Sequence, residues 1–187
     1  MTETMSIKMT ARQYLRLGED PPGVRLELVD GEIIVSPSPN YAHSFIDSRL
    51  RYILMSYIDE HDLGELVGDV DTIFDDFDVF RPDIIFIAKA RLHLIDVRGK
   101  IEIAPDLCVE ILSPSSRKMD RKTKFEMYRS SRVAHYWMVD PLNKSIEGYK
   151  LRRGRYVLAG KGKGSDMVQL PPFDDLTINL KAIWPAR

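Results

Sequence analysis

Pro105-Asp106-Leu107-Cys108-Val109-Glu110-Ile111-Leu112-Ser113-Pro114 sets a single carboxylate, Glu110, inside an apolar run that turn-forming residues close on both sides. The run is too short for a helix, and its β-branched residues suit a pleated strand, so Asp106 to Leu112 reads as a buried strand. Two more strand-like runs share the anomaly. Glu27 interrupts Arg25-Leu26-Glu27-Leu28-Val29, and Asp83 opens the apolar part of Arg81-Pro82-Asp83-Ile84-Ile85-Phe86-Ile87. A carboxylate in a buried strand is costly unless it is paired, hydrogen-bonded or bound to a cation. Any one of them could reach solvent from a strand end or bond to an arginine. Three together point to an oxygen-rich cluster of the kind that holds Mg²⁺.

The elements around these strands follow from local signals. Thr10-Ala11-Arg12-Gln13 has the capping-box form and opens a short helix that Gly18 and Pro21-Pro22 end. Asp30-Gly31 joins Arg25–Val29 to Glu32–Ser36 as a hairpin. Ile46, Leu50, Ile53, Leu54, Tyr57 and Ile58 recur at helical spacing, which predicts an amphipathic helix over Tyr41–Glu60. A second hairpin is expected from Leu66 to Phe74, through Asp75-Asp76-Phe77-Asp78, and back over Val79 to Ile87. Beyond Glu110, Arg117–Ser131 is helical in composition and Ala134–Val139 is a strand. Ser145–Leu151 and Arg155–Ala159 then alternate with turns. The whole is a mixed α/β architecture around one sheet, with an N-terminal hairpin and a C-terminal β-meander.

The chain has 187 residues, and without repeats or a linker it reads as one domain over 1–187. A chain of this size can bury a self-sufficient core. The lone Cys108 excludes an intramolecular disulfide and a cysteine-rich zinc module. No run is long and apolar enough to span a membrane, and Met1–Thr10 lacks the apolar core of a signal peptide, so a cytoplasmic protein is expected. The net charge of -1 hides an asymmetry. Asp59–Asp83 holds ten acidic residues against one basic, and Ser115–Gly164 fourteen basic against four acidic. Two solvated faces of opposite sign would account for this. So would a cation site beside a phosphate-binding surface, the pairing a metal-dependent nuclease needs.

Several residues admit two roles. Asp120, Lys124 and Tyr128 lie at i, i+4 and i+8, on one helix face. Asp120–Lys124 is then either a surface ion pair or part of a site in which the lysine polarises water and stabilises charge on phosphate. His43, at the start of the long helix, reads as a capping or buried hydrogen-bonded residue more readily than as a ligand. Cys108 shares strand parity with Glu110 and reads as a small buried hydrophobe. Gly160-Lys161-Gly162-Lys163-Gly164-Ser165 lacks the spacing of a phosphate loop and reads as a flexible basic loop. Trp137 and Trp184 read as core or interface residues.

Taken in order, Arg25–Glu32, Arg81-Pro82-Asp83, Ala104–Leu107 running into Val109–Ser115, Asp120 with Lys124 and Tyr128, and Tyr136–Pro141 resemble the Uma-type family of endonucleases. That family belongs to the restriction-endonuclease-like PD-(D/E)XK superfamily, and the resemblance spans roughly Met9 to Trp184. It implies a mixed central sheet flanked by helices, with a metal site at its edge. Asp83 matches the superfamily's Asp after Pro and Glu110 its second acid, while Glu27 matches an additional N-terminal acidic residue. The superfamily lysine, two residues after that acid, is here Leu112. Uma-type members resemble one another in carrying it on the next helix, where Lys124 fits, with Lys122 as the substitute if the helix is rotated.

The resemblance therefore implies Mg²⁺ or Mn²⁺ held by Asp83, Glu110 and a main-chain carbonyl near Ile111, with Glu27 completing the shell or binding a second ion. Lys124 would position the attacking water, and Tyr128 would support Lys124. DNA is the implied substrate, and a symmetric homodimer suits cutting of both strands. Two rivals remain at this level: a non-catalytic binding or assembly module on the nuclease fold, favoured by Leu112, and a phosphoesterase acting on small nucleotides.

Overall fold

The structure is a computed structural model that describes residues 8–186, so the reading of Met1–Thr10 lies, for its first seven residues, outside the described residues. Thr10 caps α1 (Ala11–Tyr14) by accepting the Gln13 N–H, and Gln13 returns the bond to the Thr10 N–H. β1 (Val24–Val29) and β2 (Glu32–Pro37) pair from Val24↔Pro37 to Val29↔Glu32. Asp30 and Gly31 between them both take positive φ, 49° and 76°, as a two-residue hairpin turn requires. α2 spans Tyr41–Glu60 as its periodicity predicts and buries Ile46, Leu50, Leu54 and Ile58; the Asn40 side chain caps it on the His43 N–H.

The expected second hairpin turns where it should but is not one ladder. β3 (Gly64–Val67), β4 (Thr72–Asp75), β5 (Asp78–Phe80) and β6 (Ile84–Ala88) fall into two sheets. Only β4 and β5 pair across the turn, while β3 pairs with β6. The breaks coincide with Gly68 and Pro82, and a proline has no N–H with which to continue a ladder. A four-stranded sheet therefore runs β2-β1-β5-β4. A six-stranded sheet begins β3-β6 and continues through β7 (Leu107–Ile111), β8 (His135–Asp140), β9 (Ser145–Arg152) and β10 (Arg155–Lys163).

β7 and β8 are parallel and the other pairs of this sheet antiparallel, which makes the central sheet mixed. The β7–β8 crossover carries one π-helical turn (Met119–Lys124) and then α3 (Phe125–Ser130). β11 (Met167–Leu170) and β12 (Phe173–Asn179) form a separate ribbon.

The Gly160–Ser165 segment is not the flexible loop expected: β10 runs through Lys163. Gly160 and Gly162 serve packing, because a Cβ on Gly160 would meet the Leu170 side chain at 2.6 Å and one on Gly162 would collide with Val168.

Strand alternation sorts the central sheet into two faces. Leu107, Val109 and Ile111 join Ile84, Phe86, Trp137 and the buried stripe of α2 in the main core. Cys108 faces the other way, among Phe80, Tyr128, Tyr136 and Met138. Glu110 has the parity of Cys108, so the fold directs it away from α2 and toward the crossover. Trp137 and Trp184 are both core residues, donating to the Pro171 and Gly164 carbonyls. Among the described residues no helix is long and apolar enough to cross a membrane.

Candidate active site

Asp83 stands one residue before β6, and the register Ile84↔Val109, carried one step on, sets it level with Glu110. Glu27 arrives from the other sheet. Its Oε1 accepts the Arg81 N–H at 2.9 Å, which fastens β1 to the chain two residues before Asp83. The crossover supplies the opposing charge. From the π turn, Lys124 Nζ donates to Glu27 Oε1 at 2.9 Å and to Glu110 Oε1 at 3.1 Å, and it lies 3.7 Å from Asp120 Oδ1. One turn later Tyr128 donates its hydroxyl to the same Glu110 Oε1 at 2.6 Å. Both bonds to Glu110 thus fall on one oxygen, leaving Oε2 clear of them.

Asp83 is held from its other sides. Its Oδ2 accepts the Ile111 N–H at 2.7 Å and lies 3.2 Å from His43 Nε2, while Oδ1 accepts from Arg25 Nη1 at 3.2 Å. Arg25 reaches this point because it shares the face of Glu27 on β1, two residues away. Its Nε and Nη2 are buried and make no hydrogen bond, but Nη2 forms an ion pair with Asp69 Oδ1 at 3.5 Å. A cavity of about 390 Å³ is lined by Arg25, Glu27, His43, Asp83, Glu110, Ile111, Asp120 and Lys124, among others. A second, of about 290 Å³, shares Arg25, His43 and Asp83 with it, so the two adjoin at the Arg25–Asp83–His43 contact.

The cluster is short of positive charge. Burial pushes the Glu110 carboxyl well above the usual range, and Asp83, Asp120 and Glu27 add to the rise against the pull of Lys124. Burial likewise lifts Asp120 to about 6, with Lys124 again opposing. Lys124 itself is raised despite burial, because Glu110, Glu27 and Asp120 surround its ammonium. The upward shifts of Glu110, Asp120 and Lys124 mark a negative potential that an added proton or cation would relieve. Asp83 is the exception: against burial, the bond to His43, the charge of Arg25 and the Ile111 N–H hold it at about 2. His43 is raised by its contact with Asp83, against burial. Burial keeps the Tyr128 hydroxyl protonated, and hence a donor.

A family model described as "Putative restriction endonuclease", Uma2, matches residues 11–181. The chain belongs to the Uma2 family. One curated relative, "Uncharacterized protein sll1609" of Synechocystis, is 26% identical over 144 residues, covering 76% of this chain and 80% of its own. A crystal structure described as a putative nuclease belonging to DUF820 from Anabaena variabilis superposes with a TM-score of 0.76. It is 23% identical and covers 94% of this chain and 97% of its own. The mixed central sheet flanked by helices is therefore a fold shared with that structure.

Within this Uma2 chain, the four side chains singled out from sequence, Glu27, Asp83, Glu110 and Lys124, are all buried and line one cavity, and Ile111 adjoins them through its N–H. Lys124 points inward, into the cluster, while Lys122 is exposed. Leu112 is buried, its N–H bonded to the Val139 carbonyl. Of the acidic stretch Asp59–Asp83, Asp83 joins the cluster and Asp69 reaches its edge through Arg25; Asp71 pairs with Arg81 and Lys100, and Asp62 with Lys89. Of the basic stretch only Lys124 does so, while Arg117 pairs with Asp140 and Arg121 with Glu147.

Sequence reasoning gave Arg25 no role and undervalued His43 and Asp120. The i−2 spacing of Arg25 from Glu27 was the available signal. His43 does lie at the start of α2, but its ring turns to Asp83, which no periodicity reports.

Proposed function

We propose that the protein is a metal-dependent endonuclease that hydrolyses phosphodiester bonds of DNA, using Mg²⁺ or Mn²⁺. The observation that carries this reading is the buried trio of Glu27, Glu110 and Asp120 around the Lys124 ammonium, with Asp83 beside Glu110, open to a cavity that Arg25 also lines. The donor set fits such an ion chemically. Carboxylate and carbonyl oxygens suit small hard cations, the local potential is negative, and both Asp120 oxygens are buried without a hydrogen bond. Among the described residues no three ligating side chains already stand in chelating positions. Binding therefore requires carboxylates to turn from Arg25, His43 or Lys124 toward the ion.

Asp83, Glu110 and the Ile111 carbonyl are the proposed ligands, with Glu27 completing the set. When bound, the ion would supply an acidified water and charge stabilisation on the phosphate. Lys124, held charged, cannot take a proton near neutral pH; it orients the nucleophile and offsets charge developing on phosphate. Arg25 offers Nε to a phosphate oxygen, while its Nη2 is paired with Asp69. Tyr128 and Lys124 fix the Glu110 carboxylate through one oxygen and so free the other for the ion. A symmetric dimer suits a double-strand cut, and light scattering reports it.

The test is cleavage of supercoiled plasmid and single-stranded DNA with Mg²⁺ or Mn²⁺, by wild type, Asp83→Asn and an EDTA control. Cutting is expected only with wild type and metal. Full cleavage by Asp83→Asn would refute the site. One observation favours the rival binding module, namely the engagement of both Asp83 oxygens by Arg25 and His43. That rival predicts salt-sensitive DNA binding with no cutting under any metal.

A further inference from the structure

Asp120 is the one carboxylate of the cluster that accepts no hydrogen bond of ordinary length, its polar neighbours being Lys124 and the Ser116 side chain, both of which hold its carboxyl down against burial. Its side chain is 1% exposed, and both carboxylate oxygens are buried without a hydrogen-bond partner. The nearest cation, Lys124 Nζ at 3.7 Å, is beyond hydrogen-bond length and donates instead to Glu27 and Glu110. Protonation relieves the charge but leaves the acid's own O–H without an acceptor, whereas a cation would engage the oxygens directly.

The backbone, by contrast, is fully committed to this placement. Asp120 lies in the single π-helical turn of the chain's described residues, where it and Lys124 both turn toward β7. The Tyr136 hydroxyl also donates to the Asp120 carbonyl at 3.1 Å. Single π turns within helices are frequent at functional sites, where they aim side chains that an α-helix would spread differently. The result is a hard-oxygen donor with open valence, lining the same cavity as Glu110 Oε2 and Glu27.

We propose that Asp120 is a direct ligand of a divalent cation, which it holds jointly with Glu110 on the Lys124 side of the cluster. This rests on the metal-dependent reading above and adds to it a ligand on the crossover, at a distance from the Asp83 oxygens that Arg25 and His43 engage. Such an ion would sit where three carboxylates now share one ammonium, and Lys124 would be displaced toward the cavity, nearer the phosphate it serves.

Calorimetric titration of the full chain with Mn²⁺ alone, without DNA, tests this on wild type, Asp120→Asn and Asp83→Asn. Asp120→Asn is expected to weaken Mn²⁺ binding at least tenfold while keeping the wild-type circular dichroism spectrum. Equal Mn²⁺ affinity in wild type and Asp120→Asn would overturn the assignment and leave the nuclease reading standing. Absence of Mn²⁺ binding by wild type would overturn both. Loss of binding in Asp120→Asn together with a wild type that cuts no DNA would uphold the ligand and refute the nuclease. Should Asp120→Asn fail to fold, wild-type crystals soaked in MnCl₂ decide the matter. An anomalous peak within about 2.1 Å of an Asp120 oxygen is expected, and a peak confined to Asp83 and its neighbours would overturn the proposal.

Discussion

Replacing Asp120 by Asn should make the metal-free protein more stable, by an amount that depends on pH in a defined way. Burial lifts this carboxyl from its ordinary 3.8 to about 6. The folded state therefore holds a proton that the unfolded state has released between those two values. Stability of the wild type falls as pH rises through that window, because the folded state binds more protons there. A rise from 3.8 to about 6 corresponds to about 3 kcal/mol, at ~1.36 kcal/mol per pH unit, all of it lost once the pH exceeds the folded value. Asn has nearly the same shape and cannot ionise. The variant should match wild type below about pH 4 and exceed it by up to ~3 kcal/mol at pH 8.

Urea denaturation of both proteins in EDTA at pH 4 and pH 8 measures the difference. Saturating Mn²⁺ should then close the gap from the wild-type side, since a ligand at a hundred times its dissociation constant adds about 2.7 kcal/mol to the state that binds it. A variant less stable than wild type at pH 8, or a difference that does not change between the two pH values, would refute the view of Asp120 as an unpaired buried charge.

Other consequences follow from the same contacts. Lys124→Met removes the only ammonium among the carboxylates and should cost about 3–5 kcal/mol at neutral pH, whereas exposed Lys122→Met should change stability by less than about 0.5 kcal/mol; chemical denaturation separates them, and equal effects would contradict the inward placement of Lys124. Tyr128→Phe deletes the hydroxyl bond to Glu110 and should cost about 1.5–3 kcal/mol, with DNA cleavage reduced because Glu110 is held by one donor instead of two. Asp83 behaves oppositely to Asp120 in pH. Its carboxyl is depressed from 3.8 to about 2, so its contribution is present above pH 4 and is lost as pH falls toward 2. Arg25→Met should therefore move the acid-unfolding midpoint upward, and an unmoved midpoint would show that Arg25 does not hold Asp83 charged.

What the sequence made legible has a common physical origin. The period of α2, the Asp30-Gly31 turn, the Thr10–Gln13 capping box and the strand around Glu110 each depend on residues within one turn or one ladder step, and each appears where its local signal puts it. The carboxylates at 27, 83 and 110 were legible for a related reason: a charge inside an apolar strand is anomalous whatever surrounds it. What escaped depends on contacts across the chain. The break at Pro82 reads locally as a minor interruption, yet it moves β5 and β6 into different sheets, because β1 competes for β5 while β7 competes for β6. The strand character of Gly160–Lys163 depends on Leu170 and Val168 packing against bare backbone. His43 and Arg25 matter only because Asp83, 40 and 58 residues away, lies between them.

A lysine at 124 on the crossover, with leucine at 112, changes how the cluster is held together. A lysine two residues beyond Glu110 on the same strand would have its separation from that carboxylate fixed by covalent geometry. Here the 3.1 Å contact between Lys124 and Glu110 is fixed by the crossover's packing on the sheet. That packing is aromatic: Phe125 stacks edge-on against Tyr136, Tyr149 and Tyr156, and Tyr128 packs against Phe80 and Tyr136. The Phe125 side chain touches none of the carboxylates through a hydrogen bond, yet it sets where the neighbouring Lys124 stands. Truncation to Leu, a change of volume within a packed cluster, should cost about 1–3 kcal/mol in stability and lower cleavage through displacement of Lys124 from Glu110. If cleavage by Phe125→Leu persists at the wild-type rate while stability falls, the lysine is placed by its own ion pairs and not by the helix that carries it.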